Sequence, residues 1–310
     1  MRIVHISDLH LTSLRDRSFA DLLGKRWTGY ASWRYKRRWQ HRREVLDNLA
    51  QALRAERADR IVITGDLTHI GLPEEIVAAR DWLRSLAPPE HVLLIPGNHD
   101  IYARDSWPAI RRHWADYLHW NDVRPDARRH DGYPVVRERD GVALIGLNSA
   151  LQTPMLLARG KLGTAQCERL DALLAALHAR GVLCCLLIHH PPLPGHAPWR
   201  KALADAAALE RIIARHAPAL VLHGHMHRNT HARVGPTRVY ATASGSSSMP
   251  EHPAAYRVFE ISRNAQGGHL AMHLTQATAD ASGFARVQSE AWQYEHKPAG
   301  SANHAKDLRP

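Results

Sequence analysis

Five short clusters of Asp, Asn and His punctuate the chain: Asp8-Leu9-His10, Gly65-Asp66, Gly97-Asn98-His99-Asp100, His189-His190-Pro191 and His223-Gly224-His225-Met226-His227. Carboxylate, amide oxygen and imidazole together make a donor set for borderline divalent ions such as Mn, Fe, Co, Ni or Zn. Asp8 and His10 lie two apart, as do His225 and His227, so on an extended segment both members of a pair can point the same way. A glycine before the ligand pair, as at Gly65, Gly97 and Gly224, is expected to let the backbone turn tightly toward a metal. If one carboxylate is shared, these groups can hold two ions in open coordination. Two ions about 4 Å apart can clamp an in-line displacement and supply hydroxide at neutral pH. Each cluster taken singly also reads as a turn or a helix cap.

The elements that must position these groups follow from the apolar runs. Strands are expected at Ile3–Ser7, Arg60–Thr64, Val92–Ile95, Val142–Asn148, Leu183–Ile188, Ala219–His223, Arg238–Thr242, Tyr256–Ile261 and His269–Leu274. Helices are expected at Glu44–Arg57, Pro73–Leu86, Ser106–Tyr117, Thr164–His178 and Asp205–His216. Val45, Leu49 and Leu53 form one stripe of the first helix, and Pro73 with Glu74 and Glu75 suits a first helical turn. Strands spaced by crossover helices imply an α/β layer structure, with hairpins among the last strands. All five clusters then sit at the C-terminal ends of strands, where open α/β sheets place ligands. The polar stretch Arg124–Arg139 reads as an irregular surface excursion.

Composition narrows the class. The 310 residues are 45% hydrophobic and 23% charged, an ordinary globular balance. The longest apolar run, Val182 to Ile188, is too short to span a bilayer. The chain opens MRIVHIS with no apolar core of a secretory signal, and Cys167, Cys184 and Cys185 fit reduced thiols better than a disulfide framework. A cytoplasmic protein is expected. The net charge is +11, and eight of the cations (Lys25, Arg26, Arg34, Lys36, Arg37, Arg38, Arg42 and Arg43) fall between residues 25 and 43 with no acid among them. The basicity is therefore mostly local, which argues against a general nucleic-acid polycation.

Taken in order, D-x-H, G-D, G-N-H-D, H-x-P and G-H-x-H resemble the motif series of the calcineurin-like metallophosphoesterases over roughly residues 1–261. The resemblance implies a four-layer αββα sandwich of two mixed sheets flanked by helices. It also implies two divalent ions, Mn, Fe or Zn. Asp8, His10 and His227 would hold one, Asn98, His189 and His225 the other, and Asp66 would bridge them. His189 rather than His190 fits the His-x-Pro pattern. His99 would contact the scissile phosphate and aid the leaving group, with Asp100 orienting its ring. His5, His69, His190 and His223 are expected beside the site rather than as ligands. Gly160, Leu162 and Gln166 and the stretch ATASGSSS (residues 241–248) resemble the bacterial cyclic-nucleotide-type phosphodiesterase branch. The implied phosphoesterase domain covers 1–285, followed by a loose tail at 286–310.

The implied activity is hydrolysis of a phosphodiester by a metal-bound hydroxide, with a small-molecule diester or nucleotide as substrate. No second cationic clamp is evident in the motifs, which favours diesters over monoesters. The insert at 24–43, GKRWTGYASWRYKRRWQHRR, interleaves Trp27, Tyr30, Trp33, Tyr35 and Trp39 with its cations. It suits an anionic membrane surface, a nucleic acid, or an anionic ligand at the site; it also reads as a helix whose aromatics pack on the body. Two alternatives follow. One is a pyrophosphatase acting on a lipid-linked sugar nucleotide of the UDP-diacylglucosamine type, docked peripherally on the inner face of a membrane. The other is a nuclease, or a non-catalytic binder of nucleic acid or membrane.

Overall fold

A computed structural model describes residues 1–295 apart from 16, 17, 19, 119–131, 265, 266 and 281. The alternation in β1 (Arg2–Ile6) divides its side chains between two cores, Ile3 on one face and Val4 and Ile6 on the other. The insert follows as α1 (Lys25–Ser32), a π-helical turn (Trp33–Arg37) and α2 (Arg38–Gln40). Next come α3 (Arg43–Ala55), β2 (Arg60–Ile63), α4 (Pro73–Leu86) and β3 (Val92–Leu94). The stripe Val45, Leu49 and Leu53 of α3 is buried as its spacing requires. Pro73 opens α4, and the buried Glu75 carboxylate accepts the N–H groups of His69, Ile70 and Leu72 at 2.7, 3.0 and 3.1 Å. That cap ties the start of α4 to the loop leaving β2.

The expected helix at 106–117 divides into α5 (Ser106–His113) and α6 (Ala115–Leu118). Trp114 breaks it, its indole fully buried and donating to the Ile76 carbonyl at 2.8 Å. The second half builds β4 (Val135–Arg139), β5 (Val142–Gly146), α7 (Thr164–Ala179), β6 (Leu183–Leu187), α8 (Ala206–His216) and β7 (Leu220–His223). It closes with β8 (Thr230–Val234), β9 (Thr237–Ala241), the short pair β10 (Ser248–Met249) and β11 (His252–Pro253), β12 (Ala255–Asn264), β13 (Gly267–Ala277) and β14 (Phe284–Glu295).

Two mixed six-stranded sheets result, in the orders β14-β13-β12-β1-β2-β3 and β4-β5-β6-β7-β9-β8. The sheets pack face to face through Ile3, Val62, Leu144, Leu187, Leu222, Phe259 and Met272. Helices α3 to α6 cover the outer face of the first sheet, and α7 and α8 that of the second. The four-layer αββα sandwich is therefore observed. Strands β1, β2 and β3 run parallel in one sheet, and β5, β6, β7 and β9 in the other. Among the described residues, no helix is long and apolar enough to cross a membrane.

Two expectations need correction. Residues 135–139, read as part of an irregular excursion, form β4, paired antiparallel with β5; residues 124–131 lie outside the described residues. Residues 286–295, read as tail, belong to β14, which pairs along β13 from Ala277 to Gly267. Its anchor is Tyr294, only 4% exposed, whose hydroxyl donates to the Ala217 carbonyl at 2.6 Å and so ties β14 to the end of α8. Residues 296–310 of the expected tail lie outside the described residues. Tyr294→Ala should lower stability in urea unfolding by about 3 kcal/mol, as loss of a buried aromatic does. A change below about 0.5 kcal/mol, ordinary for an exposed site, would show that β14 is not packed.

Candidate metal centre

The loops leaving β1, β2, β3, β6 and β7 converge at one edge of the sandwich and bring all seven expected ligands together. Five of them, Asp8, His10, Asp66, His225 and His227, have left-handed backbone angles with φ of 55°, 44°, 58°, 71° and 54°. Such conformations cost non-glycine residues about 1–3 kcal/mol each and persist only where the surroundings impose them. Here the bonds that impose them are visible. Asp8 N–H donates to Gly65 O at 2.9 Å, His10 N–H to Asp66 O at 3.0 Å, and His225 N–H to the Asp8 Oδ2 atom at 2.9 Å. The loops also sit closer than a side chain would permit. A Cβ on Gly97 would lie 2.2 Å from Asp66 Oδ1, and one on Gly224 would lie 1.8 Å from Ser7 Oγ. Neither glycine has a positive φ, so at both positions close approach, and not the expected tight turn, demands glycine.

Asp8, His10 and Asp66 present donor atoms within 4.8 Å of one another, and so do Asp66, His189 and His225. Asp66 is common to both sets. Asn98 Oδ1 lies 3.1 Å from His189 Nε2, and His227 Nε2 lies 3.2 Å from Asp8 Oδ1. Backbone carbonyls fix the imidazoles. His10 Nδ1 donates to Thr68 O at 2.8 Å and His189 Nδ1 to Thr64 O at 2.6 Å, which aims each Nε2 inward. His225 is turned the other way, with Nε2 on Lys201 O at 3.0 Å and Nδ1 inward, 3.2 Å from His189.

The donor set fits divalent ions on a specific ground. His10 Nε2 is buried and has no hydrogen-bond partner, and Asp8 Oδ1, also buried, makes no hydrogen bond and has only the His227 Nε2 contact at 3.2 Å. Buried polar atoms left so cost about 1–3 kcal/mol each, and a cation between them would satisfy both. Burial depresses His10 and His225 well below the usual imidazole range, with neighbouring imidazoles adding to the effect, so they are neutral and ready to ligate. For His189, burial acts downward, yet the Asp66 carboxylate outweighs it and pushes the pKa up to about 9. For Asp8, burial is outweighed by His227, which holds the carboxyl well below the usual carboxylate range.

Asp100 does not orient the His99 ring as expected. Its oxygens accept the backbone N–H groups of Asp66, Leu67, Thr68 and Gly97 at 2.8, 2.9, 3.0 and 2.9 Å, and the Thr68 hydroxyl at 3.2 Å. It is a clamp between the β2 and β3 exits. Burial, and then the charge of Asp66, push its pKa up to about 7 against those N–H groups. The His99 ring is held instead by the His69 carbonyl, 2.5 Å from Nδ1, and by Arg37, whose guanidinium donates to Nε2 at 2.8 Å. The His99 N–H donates to Asp66 Oδ1 at 2.7 Å.

Arg37 belongs to the insert, and no motif marked it among its basic neighbours. With Lys36 and Lys201 it lines a cavity of about 260 Å³ that also exposes Asp66, Asn98, His99, His225 and His227. A cationic clamp is therefore present, contrary to the expectation from the motifs. The insert itself is anchored: Trp33 is 3% exposed among Leu14, Leu22, Ile70, Leu72 and Tyr102, and Arg26 is paired with Asp105 at 2.7 Å. His5, His190 and His223 hydrogen-bond beside the site as expected, to Thr64 and Thr242, to Ser149, and to Gly224 O. Gln166 holds the β5 exit by exchanging bonds with the Asn148 backbone, both at 2.9 Å.

If Asp100 is a clamp, Asp100→Asn points an amide N–H₂ at backbone donors and should cost about 1.5–3 kcal/mol in urea unfolding of metal-free protein. Unchanged stability with reduced activity would instead restore the ring-orienting role.

Comparison with known proteins agrees with this geometry. A profile described as calcineurin-like phosphoesterase matches residues 1–229. The chain is 28% identical over 243 residues to a cAMP/cGMP dual specificity phosphodiesterase of Mycobacterium tuberculosis, covering 74% of this chain and 63% of that one. It is 51% identical over 45 residues to a glycerophosphodiester phosphodiesterase of Enterobacter lignolyticus, covering 14% and 16%. The chain thus spans less than two thirds of the length of these curated relatives. A dimetal phosphatase from Danio rerio has the same fold, with a TM-score of 0.63 at 16% identity over 96% of this chain and 99% of that one. With the profile matched across all five loops that carry the expected ligands, up to His227, the chain belongs to the calcineurin-like phosphoesterase family.

Proposed function

We propose that this chain is a metal-dependent phosphoric ester hydrolase that cleaves a phosphodiester. The observation that carries the reading is the place of Asp66, shared between the Asp8–His10 set and the His189–His225 set. Asp8, His10 and His227 would hold one ion, Asn98, His189 and His225 the other, and Asp66 both. Manganese, iron or zinc suits this mixture of oxygen and nitrogen donors. When bound, two such ions supply Lewis acidity toward a phosphoryl oxygen and a water acidic enough to ionise near neutral pH.

The chain's own residues supply the rest. The His99 N–H fixes Asp66 Oδ1, so the shared carboxylate cannot swing away. Arg37, Lys36 and Lys201 line the cavity and would take the remaining phosphate oxygens, Arg37 through its planar fork. Hydrolysis forms one P–O bond to water and breaks the one to the leaving alcohol, which must gain a proton. His99 Nδ1 is committed to His69 O and Nε2 carries a lone pair, so Nε2 is the atom that can first take up the proton lost by the attacking water and then pass it to that alcohol, after Arg37 shifts from it to the phosphate. The names of both curated relatives, each a phosphodiesterase, support the same bond type.

A second reading is a diphosphate diester carried on a lipid, met at an anionic membrane surface. What favours it is the outer side of the insert, where Trp27, Tyr35 and Trp39 are 52%, 81% and 58% exposed beside exposed Arg34 and Arg42. Aromatic rings among cations suit peripheral docking, at about 1 kcal/mol per cation near anionic lipid.

Activity should be measured with Mn²⁺-loaded protein in mild detergent, offering cyclic AMP and a lipid-linked UDP-sugar together. AMP release supports the first reading, and UMP release the second. Asp66→Asn should lower either turnover by more than about 100-fold, since even an outer partner of a ligand is worth 10–100-fold. Near-wild-type turnover by that variant would overturn the shared-carboxylate assignment. Arg37→Gln should raise KM by about tenfold, the loss of roughly 1.4 kcal/mol from one charge-assisted contact. An unchanged KM and kcat would remove Arg37 from the substrate.

A further inference from the structure

Two features of the sequence, the basic aromatic insert and the serine-rich stretch at 241–248, have no shared part in the function proposed above. They meet at His41. This residue leaves α2 in an extended conformation, with φ −114° and ψ 109°. Its backbone forms a bridge to Ser247, and the next N–H, of Arg42, donates to Ser246 O at 3.3 Å. The start of α3 is thereby pinned to the serine stretch.

The hydroxyls of that stretch set the tautomer of the His41 ring. Ser244 Oγ lies 2.5 Å from the Asp8 carbonyl, which can only accept, so Ser244 spends its proton there. Ser244 Oγ can then only accept, and Ser246 Oγ, 3.2 Å away, is placed to donate to it. Ser246 Oγ in turn accepts from His41 Nδ1 at 2.7 Å. The relay leaves the Nε2 lone pair of His41 without a proton. The ring has company: His10, His41 and His227 each offer a ring nitrogen within 4.8 Å of the other two, and His10 Nε2 is buried without a hydrogen-bond partner. The His41 ring centroid is 4.6 Å from that of His10 and 5.7 Å from that of His227.

We propose that His41 is a further metal ligand on the Asp8–His10–His227 side, carried in by the insert and held in its ligating tautomer by Ser246 and Ser244. The inference rests on the two-ion reading of the site. It gives the insert a task at the metal besides that of Arg37 at the substrate, since loading the ion would fasten the segment over the cavity.

The test is isothermal titration of Mn²⁺ into the metal-free full chain and its His41→Ala, His41→Gln and Ser246→Ala variants, with thermal unfolding of each metal-free form as the check on folding. Wild type should show two binding events. Both His41 variants should weaken one event by about tenfold or more and leave the other unchanged, and Ser246→Ala should weaken the same event by a smaller factor. Two wild-type events in both folded His41 variants would overturn the inference and leave the two-ion reading standing. Fewer than two events in wild type would overturn the two-ion reading itself.

Discussion

The Asp100 carboxylate, fully buried, gathers four backbone N–H groups from two loops: those of Asp66, Leu67 and Thr68 after β2 and that of Gly97 after β3. The geometry around Asp66, on which both sets of donors converge, is built on that registration. It presses Gly97 against Asp66 so closely that no Cβ fits between them, and it lets the His99 N–H reach Asp66 Oδ1. A carboxylate buried among backbone donors is favourable only while all of those donors are present. The cost of burying it enforces the loop geometry, and that geometry in turn sustains the left-handed backbone at Asp66.

The sandwich supplies the frame for this clamp. Parallel strands β1, β2 and β3 deliver three ligand loops side by side, and β6 and β7 of the second sheet deliver the other two. The two groups meet because the sheets pack face to face, with Asp8 Oδ2 accepting the His225 N–H across them. The insert then closes one side. Trp33 buries itself among apolar residues while Arg37 and His41 reach inward, so one segment contributes packing, charge and imidazole at once.

How much of this could be read from residues alone follows from burial. Interior strands such as β2 and β6, buried at every position, stand out as apolar runs that stop abruptly at polar ligands. Of the strands that were missed, β4, β8 and β14 are outermost in the two large sheets, and β10 and β11 form a separate short pair. Edge strands bury little, and β14 shows it, since among its residues only Tyr294 is buried. Its polar composition therefore looks like a tail. The seven residues proposed as ligands were legible as a cluster because their spacing and their strand exits coincide. Arg37 was not, because nothing local distinguishes it from neighbouring Arg38, and neither was His41, because it stands in no motif at a strand exit; only the packing of Trp33 and the bond to Ser246 turn them inward. Asp100 was legible as a site residue but with the wrong partner, since adjacency to His99 in sequence says nothing of which way a carboxylate points.

The central claim is that Asp66 is shared by two ions. Anomalous diffraction from crystals of the Mn²⁺-loaded chain tests it most directly. The account predicts two anomalous peaks per chain, both in contact with Asp66, with Asp8, His10 and His227 around one and Asn98, His189 and His225 around the other. A single peak, or a second peak that Asp66 does not touch, would contradict it.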